Sequence, residues 1–404
     1  MNRCFLPADI LLPMGTEFEK WAVIACDQFT SDREYWDRVE QFVADAPSTR
    51  NLVYPEIDLE KDTQNRIRSI HNAMNHVLQE QVLTKFKNAY IYVERILQDE
   101  SVRPGIVGVV DLENYHYDPE QKPLIGATEQ TVLSRIPPRL AIRADAALEF
   151  SHVILFCNDT EFSIINSITA IKDQLTKLYD FQLMEGGNRI TGYLVDGDHA
   201  EVLSAKLDAY TLAHSNETAF LVADGNHSLV TAKTWYEELK SRNPGADLSA
   251  HPARYAMVEL ENIQDSSIHF EPIHRVVFDT DPDKLLHDLQ EIYTPDGCRL
   301  QWVVGDQSGT LTIDVPEGEL PIAVFQRFMD QWLMENQGDI DYIHDTDAVI
   351  KFAQRENTIG FFLPVFDKQA LFEFGASGHI LPRKTFSLGH SREKRYYLEG
   401  RRIR

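Results

Sequence analysis

The stretch Phe220-Leu221-Val222-Ala223-Asp224-Gly225-Asn226-His227-Ser228 constrains this chain more than any other. A short apolar run reads as a buried strand. Four polar or small residues make a tight turn, and Leu229, Val230, Ala232, Trp235 and Leu239 then fall near helical spacing. Asn243-Pro244-Gly245 stops that helix. Such a strand–turn–helix unit puts Asn226, His227 and Ser228 at a helix N-terminus, where backbone N–H groups lack intrahelical partners and the dipole favours an anion. Gly225 lets the chain turn sharply and lets a ligand approach the backbone. An acid, a histidine and a hydroxyl at this place point to phosphate chemistry. The plainer alternative is a capped helix behind a common Asp-Gly turn, with no ligand.

The 404 residues suffice for two or three domains, and a 43% hydrophobic content can build their cores. The formal net charge is −24. A field of that sign repels duplex nucleic acid and anionic membranes, so any anion site must be built locally. No apolar run approaches the roughly 18 residues of a membrane helix, and the first twelve residues do not read as a signal peptide. Cys4, Cys26, Cys157 and Cys298 are scattered and form no C-x-x-C pair, which fits a reducing cytoplasm and disfavours structural zinc.

Helical and strand patterns alternate along the chain, which predicts a mixed α/β (α+β) fold. Three parts are expected: 1–120, 121–278 and 279–404. In the first, a strand over 21–25 precedes a helix capped by Thr30 or Ser31 that buries Tyr35, Trp36, Val39 and Phe42. A helix over 63–86 and strands over 90–96 and 106–112 follow. Residues 121–150 read as a loop carrying Lys122, Arg135, Arg139 and Arg143. These arginines either pair with local acids or form forked donors for phosphate or carboxylate. A strand over 153–156, a helix over 167–181, a turn at Glu185-Gly186-Gly187-Asn188, a strand over 190–195 and a helix over 200–214 lead to the central motif. A strand over 254–260 comes after it. From about residue 280 a smaller α/β pattern repeats. Between Pro382 and Arg404 eight Lys or Arg stand against two acids, reversing the charge of the chain.

Familiar cofactor signatures are missing. There is no Walker loop, no G-x-G-x-x-G after a strand and no H-E-x-x-H. His269 and His274 are separated by Pro272, so they do not share a helix face as metal ligands. Phosphoryl transfer needs a phosphate cradle, positive groups on the equatorial oxygens, a divalent metal and a base near the acceptor hydroxyl. The chain offers a cradle at Gly225, Asn226 and Ser228, arginines at Arg135, Arg139 and Arg143, and carboxylates at turns: Asp27, Asp159, Glu185 and Asp224. Asp224 is the expected Mg2+ ligand, Asp27 the candidate base, and Asp224, Asp27 and His227 the candidate catalytic set.

Several longer motifs together resemble the family filed as domain of unknown function 1015. They are Lys20-Trp21-Ala22-Val23-Ile24-Ala25-Cys26-Asp27-Gln28-Phe29-Thr30-Ser31, Ser134-Arg135-Ile136-Pro137-Pro138-Arg139 and Ala223-Asp224-Gly225-Asn226-His227-Ser228. Phe270-Glu271-Pro272-Ile273-His274-Arg275, Leu381-Pro382-Arg383-Lys384-Thr385-Phe386-Ser387 and Glu393-Lys394-Arg395-Tyr396-Tyr397-Leu398-Glu399 complete the set. Many members of that family carry Asp-Gly-His-His-Arg at the central turn. This resembles the phosphate-binding turn of the ParB/sulfiredoxin superfamily, which includes free serine kinases, and some members are associated with pyrophosphate-dependent phosphorylation of free L-serine. The resemblance implies a ParB/sulfiredoxin-like core with a smaller C-terminal α+β region. Asp224, Gly225 and His227 match the motif, whereas Asn226 replaces the first His and Ser228 replaces the Arg. Losing that Arg removes a bidentate phosphate donor, which Arg135 or Arg139 would have to supply from elsewhere.

The leading expectation is a small-molecule phosphotransferase, like a free L-serine kinase. It would take pyrophosphate or a nucleotide as donor, Mg2+ as bridge, and a small phosphorylated or hydroxyl-bearing metabolite as partner. The alternative is a non-catalytic regulator that binds a nucleotide or phosphometabolite at the same helix end. A sulfiredoxin-like thiol reaction is disfavoured because no cysteine lies between Cys157 and Cys298, and a DNA-partitioning role because of the net charge. Arg383, Lys384, Lys394 and Arg395 in the basic tail either close over an anionic ligand or dock on acidic surface, of this chain or of a second copy in a homo-oligomer.

Overall fold

The structure, a computed structural model, describes residues 3–24, 33–54, 63–118, 121, 123–129, 136–150, 153–376, 381–382, 384–389 and 396–404. Two compact units are present. The first takes in residues 1–268, 369–380 and 391–404, the second 269–368 and 381–390.

The first unit is built on an eleven-stranded mixed sheet. Its main order is Thr176–Gln182, Arg189–Val195, Thr84–Ile96, Val102–Asp111, Tyr255–Asn262, Val153–Cys157, Phe220–Asp224, Ile125–Ala127 and Tyr115–His116. Phe5–Leu6 pairs with Val102–Asp111, and Ala8–Leu12 with Thr84–Ile96. The central strands are apolar on both faces because both faces are covered. On one side Tyr90, Ile106, Val258, Leu155 and Val222 pack under the helices Gly197–Ala213 and Asn226–Arg242. On the other, Ile91, Val107 and Met257 pack with the helices Arg33–Val43 and Thr63–Gln79.

That second face also receives the C-terminal tail. Tyr396–Tyr397 pairs antiparallel with Val23–Ile24, and Arg401–Arg402 with Leu148–Glu149. Trp21 Nε1 donates to Leu398 O at 3.1 Å, and Tyr396, Leu398 and Ile403 are buried. The described part of the tail therefore docks on its own chain. Arg383, Lys394 and Arg395 lie outside the described residues. Lys384 lies in the second unit, where its carbonyl accepts from Arg275 Nη2 at 3.1 Å.

The same face holds a buried ionic cluster. Arg95 pairs with Glu259, and Arg103 Nε lies 3.8 Å from Glu261 Oε1, all four side chains being almost completely enclosed. Gly105 makes room for it, since a Cβ there would sit 2.5 Å from Glu259 Oε1.

The second unit is a five-stranded antiparallel sheet in the order Gln307–Ile313, Tyr293–Val304, Ile359–Phe362, His274–Phe278 and Asp339–Ile343. Pro282–Asp288 and Pro321–Glu335 cover one face, and Thr346–Ala353 the other. His274 is buried and accepts from Leu363 N at 3.2 Å through Nδ1, a role within the fold rather than in a metal pair.

The mixed α/β expectation holds, with local corrections. The helix expected over 63–86 ends at Gln79, because the chain turns out through Gln81 at φ +54° and Thr84–Ile96 is then drawn into the sheet. The helix expected over 167–181 is a single turn, Ile165–Thr169. Thr176–Gln182 instead pairs as a hairpin with Arg189–Val195 through left-handed Glu185 and Gly186. Here tertiary pairing overrides a weak helical pattern. Trp21 ends a helical turn, Phe18–Trp21, ahead of a strand reduced to Val23–Ile24. Phe42 is exposed, and Val43 takes its place in the core. Residues 136–145 are a helix, not a loop: Pro137 and Pro138 fall in its first turn, where a missing N–H costs nothing.

Candidate functional site

The strand Phe220–Asp224 lies between Val153–Cys157 and Ile125–Ala127. A register shift between Val222 and Asp224 carries the chain out of the sheet. Gly225 follows at φ +84°, ψ +21°, a left-handed conformation that glycine adopts without steric cost, and Asn226–Arg242 begins at once. The strand, the turn and the helix therefore stand as the residue pattern anticipates. Leu229, Val230, Ala232 and Trp235 are buried and anchor the helix. Ser228 N and Leu229 N both donate to Gly225 O, at 2.9 and 3.2 Å, which closes the first turn of the helix.

Each residue of the turn has a distinct setting. Asp224 Oδ1 accepts from Gly225 N at 2.6 Å, leaving Oδ2 for another partner. Asn226 is a cross-link, its Oδ1 accepting from Tyr115 Oη at 3.0 Å and its Nδ2 donating to Glu129 O at 3.1 Å. Thr128 Oγ1 donates to Val222 O at 2.6 Å, which fixes that neighbouring loop against the strand. His227 is half-buried, and its carbonyl accepts from Thr231 Oγ1 at 2.7 Å. Ser228 and Thr231, three apart on the helix, present their side chains to a cavity of about 120 Å³.

Arg139 and Arg143, four apart on the helix Ile136–Asp145, line the same cavity. Glu149 and Tyr397 line it too, and Leu52, Met74 and Phe150 supply apolar wall. Arg143 Nη1 donates to Glu149 Oε2, and Arg401 Nε to Glu149 Oε1 at 2.6 Å. Met257 N adds a third donor to that carboxylate at 2.8 Å. Burial opposes ionisation of Glu149, but Arg143 and Arg401 outweigh it and hold the carboxyl down at about 2. One carboxylate between two guanidinium groups leaves a surplus positive charge at the cavity, the local concentration that an anion site in a −24 chain requires.

Three of the anticipated residues, Ser228, Arg139 and Arg143, are thus brought to one cavity. Asp224, Gly225, Asn226 and His227 form the turn beside it. Asp27 and Arg135 lie outside the described residues. Two of the carboxylates at turns have structural partners. Glu185 binds Arg38 at 2.9 Å, and Asp159 caps a turn by accepting from Ile164 N at 2.9 Å. Glu149, Thr231, Tyr397 and Arg401 were not anticipated. Tyr397 lies within one of the family motifs and Thr231 one helical turn beyond Ser228, whereas Glu149 and Arg401 carry no local signal, because remote strand pairing delivers them. Among the described residues no three His, Cys, Asp or Glu side chains group as a metal site, and no helix is long and apolar enough to cross a membrane. Cys157 is buried, and burial pushes its thiol far above the ordinary range.

Several solved structures share part of the chain path. SbnI with C-terminal truncation from Staphylococcus aureus matches at 10% identity over 70% of this chain and 83% of that one, with a TM-score of 0.38. A free serine kinase in complex with AMP matches at 11% identity over 69% and 85%, TM-score 0.38. A conserved hypothetical protein from Pyrococcus furiosus matches at 11% identity over 73% and 94%, TM-score 0.36. No curated protein sequence matches the chain. The model of the family described as "Protein of unknown function (DUF1015)" matches residues 12–370, and the chain belongs to that family.

Proposed function

We propose that the protein is a small-molecule phosphotransferase whose phosphate site is the turn at Gly225 together with the cavity beside it. The observation that carries this reading is the convergence of Ser228, Arg139 and Arg143, from two helices, on one cavity at the N-terminal end of Asn226–Arg242. Helix-end amides and arginines are the groups that hold phosphoryl oxygens. The donor is pyrophosphate or a nucleotide, and the acceptor a small hydroxyl compound such as free serine. A base of the candidate set, Asp27 or His227, takes the proton from the acceptor hydroxyl as its oxygen bonds to phosphorus, and the bridging oxygen of the donor leaves with the electron pair. Mg2+ carried on donor phosphates needs only one or two protein carboxylates. Asp224, with Oδ2 beyond its bond to Gly225, is the residue to supply one.

His227→Ala and Asp224→Ala should each abolish transfer from pyrophosphate, ADP or ATP to free amino acids while leaving the unfolding transition in place. Wild-type turnover in either variant would remove this site from the reaction.

A binding role without turnover has its own support. Among the described residues the carboxylate lining the cavity is Glu149, and two arginines clamp it, so it does not act as a base there. Calorimetric binding of the same donors without product would favour this second reading.

A further inference from the structure

Arg143 and Arg401 grip the same carboxylate but are used differently. Arg401 spends its whole guanidinium on the protein: Nε goes to Glu149, Nη1 to Pro252 O at 3.1 Å, and Nη2 to the carbonyls of Pro252 and Tyr255. Arg143 spends only Nη1, on Glu149. Its side chain is 10% exposed, and Nε and Nη2 are buried with no hydrogen-bond partner. Those two nitrogens form the flat, two-pronged edge with which arginine receives a pair of oxygens. Leaving buried donors of a charged group unmet is unfavourable, and a water or an acceptor from outside the chain would relieve it.

We propose that the Nε/Nη2 edge of Arg143 is the receptor for two oxygens of a small oxyanion, a carboxylate or a phosphoryl group, with Glu149 as its positioning residue and Arg401 holding Glu149. The assignment rests on the functional reading above and narrows it to one edge of one side chain. Glu149 fixes the guanidinium from the opposite side, so the edge is set before the ligand arrives, and Met257 N and Arg401 keep Glu149 from swinging away. Ser228 lines the same cavity and can donate to a further oxygen, while Thr231 spends its hydroxyl proton on His227 O. A space of about 120 Å³ is small beside the roughly 300–1,000 Å³ of ordinary ligand pockets, so it suits an oxyanion on a short body.

The test uses the full chain, labelled with [15N]arginine, and four probes: inorganic phosphate, pyrophosphate, L-lactate and L-serine. The Nε–H resonance of Arg143, assigned by Arg143→Lys, should shift on titration with at least one probe. Arg143→Lys keeps the charge but loses the edge, and should weaken that probe about tenfold or more by calorimetry. Glu149→Gln should weaken it too, and Glu149→Asp should restore part of the loss, a pattern that general destabilisation would not give. Should the variants fail to fold, uniformly 13C,15N-labelled wild type, in which the Arg143 Nε–H is assigned through its own side-chain carbons, still decides. No shift with any probe overturns the receptor. Phosphate binding that ignores Arg143 overturns it as well, yet leaves the phosphotransfer reading standing. Binding of lactate or serine alone, dependent on Arg143, supports the receptor and counts against phosphate at this edge.

Discussion

Arg401 donates its Nε to Glu149 Oε1 at 2.6 Å, across 252 positions of sequence. The bond ties the basic tail to the wall of the cavity, because Arg143 closes on the other oxygen of the same carboxylate. The described end of the tail and the wall of the cavity therefore share one carboxylate in the first unit.

Removing the shared carboxylate tests this. Glu149→Leu leaves two buried guanidinium groups side by side with no counter-charge, which should cost about 3–5 kcal/mol. Urea unfolding is the measurement. The sign with pH follows from the depressed carboxyl: the stabilisation is complete above the ordinary glutamate range and is lost as pH falls toward about 2. In wild type the urea midpoint should therefore drop between pH 4.5 and 2, and this part of the drop should be missing from the variant.

Gly225 sits at φ +84° between strand and helix. Alanine in that region costs roughly 1–2 kcal/mol, asparagine less. Gly225→Ala should lower the melting temperature and weaken pyrophosphate, and Gly225→Asn should do so by a smaller amount. Equal behaviour of the two variants would show that the left-handed turn is not what limits the site.

The central turn was legible because its signals are local. An apolar run, a glycine and a helical repeat fall within about twenty residues, and the structure returns Phe220–Asp224 and Asn226–Arg242 in place. The arginines were legible as a cluster but not as a helix face, since Pro137-Pro138 reads as a break unless the first helical turn is known to begin there. Glu149 and Arg401 became neighbours only through the pairing of Leu148–Glu149 with Arg401–Arg402. No residue near either one encodes that partnership, because a strand specifies its face more strongly than its partner.

The tail itself gives a sharper outcome. Tyr396, Leu398 and Ile403 are buried, and Trp21 Nε1 depends on Leu398 O. Truncation of a single large core side chain costs about 2–5 kcal/mol, and a domain is stable by only about 5–15. Deleting residues from Pro382 onward should abolish cooperative unfolding of the first unit rather than merely weaken ligand binding. A truncated chain with the wild-type melting curve would contradict the docking described for the tail.

Glu261 sets the opposite pH dependence to Glu149. It lies on Tyr255–Asn262 with both oxygens buried and no hydrogen bond to either, and Arg103 is the nearest cation, at 3.8 Å. Burial pushes its carboxyl up to about 7, Arg103 pulls against that, and Glu259 adds to the rise. An acid with a raised folded-state value stabilises the protein fully below the unfolded glutamate range, and the contribution disappears as pH climbs through about 7. Wild type should therefore lose stability between pH 5 and 8 through this group. Glu261→Gln, which keeps the shape and cannot ionise, should flatten that slope in urea titrations at fixed salt. Parallel slopes in the two proteins would mean that Glu261 is already ionised at pH 5, with Arg103 and Arg95 outweighing its burial.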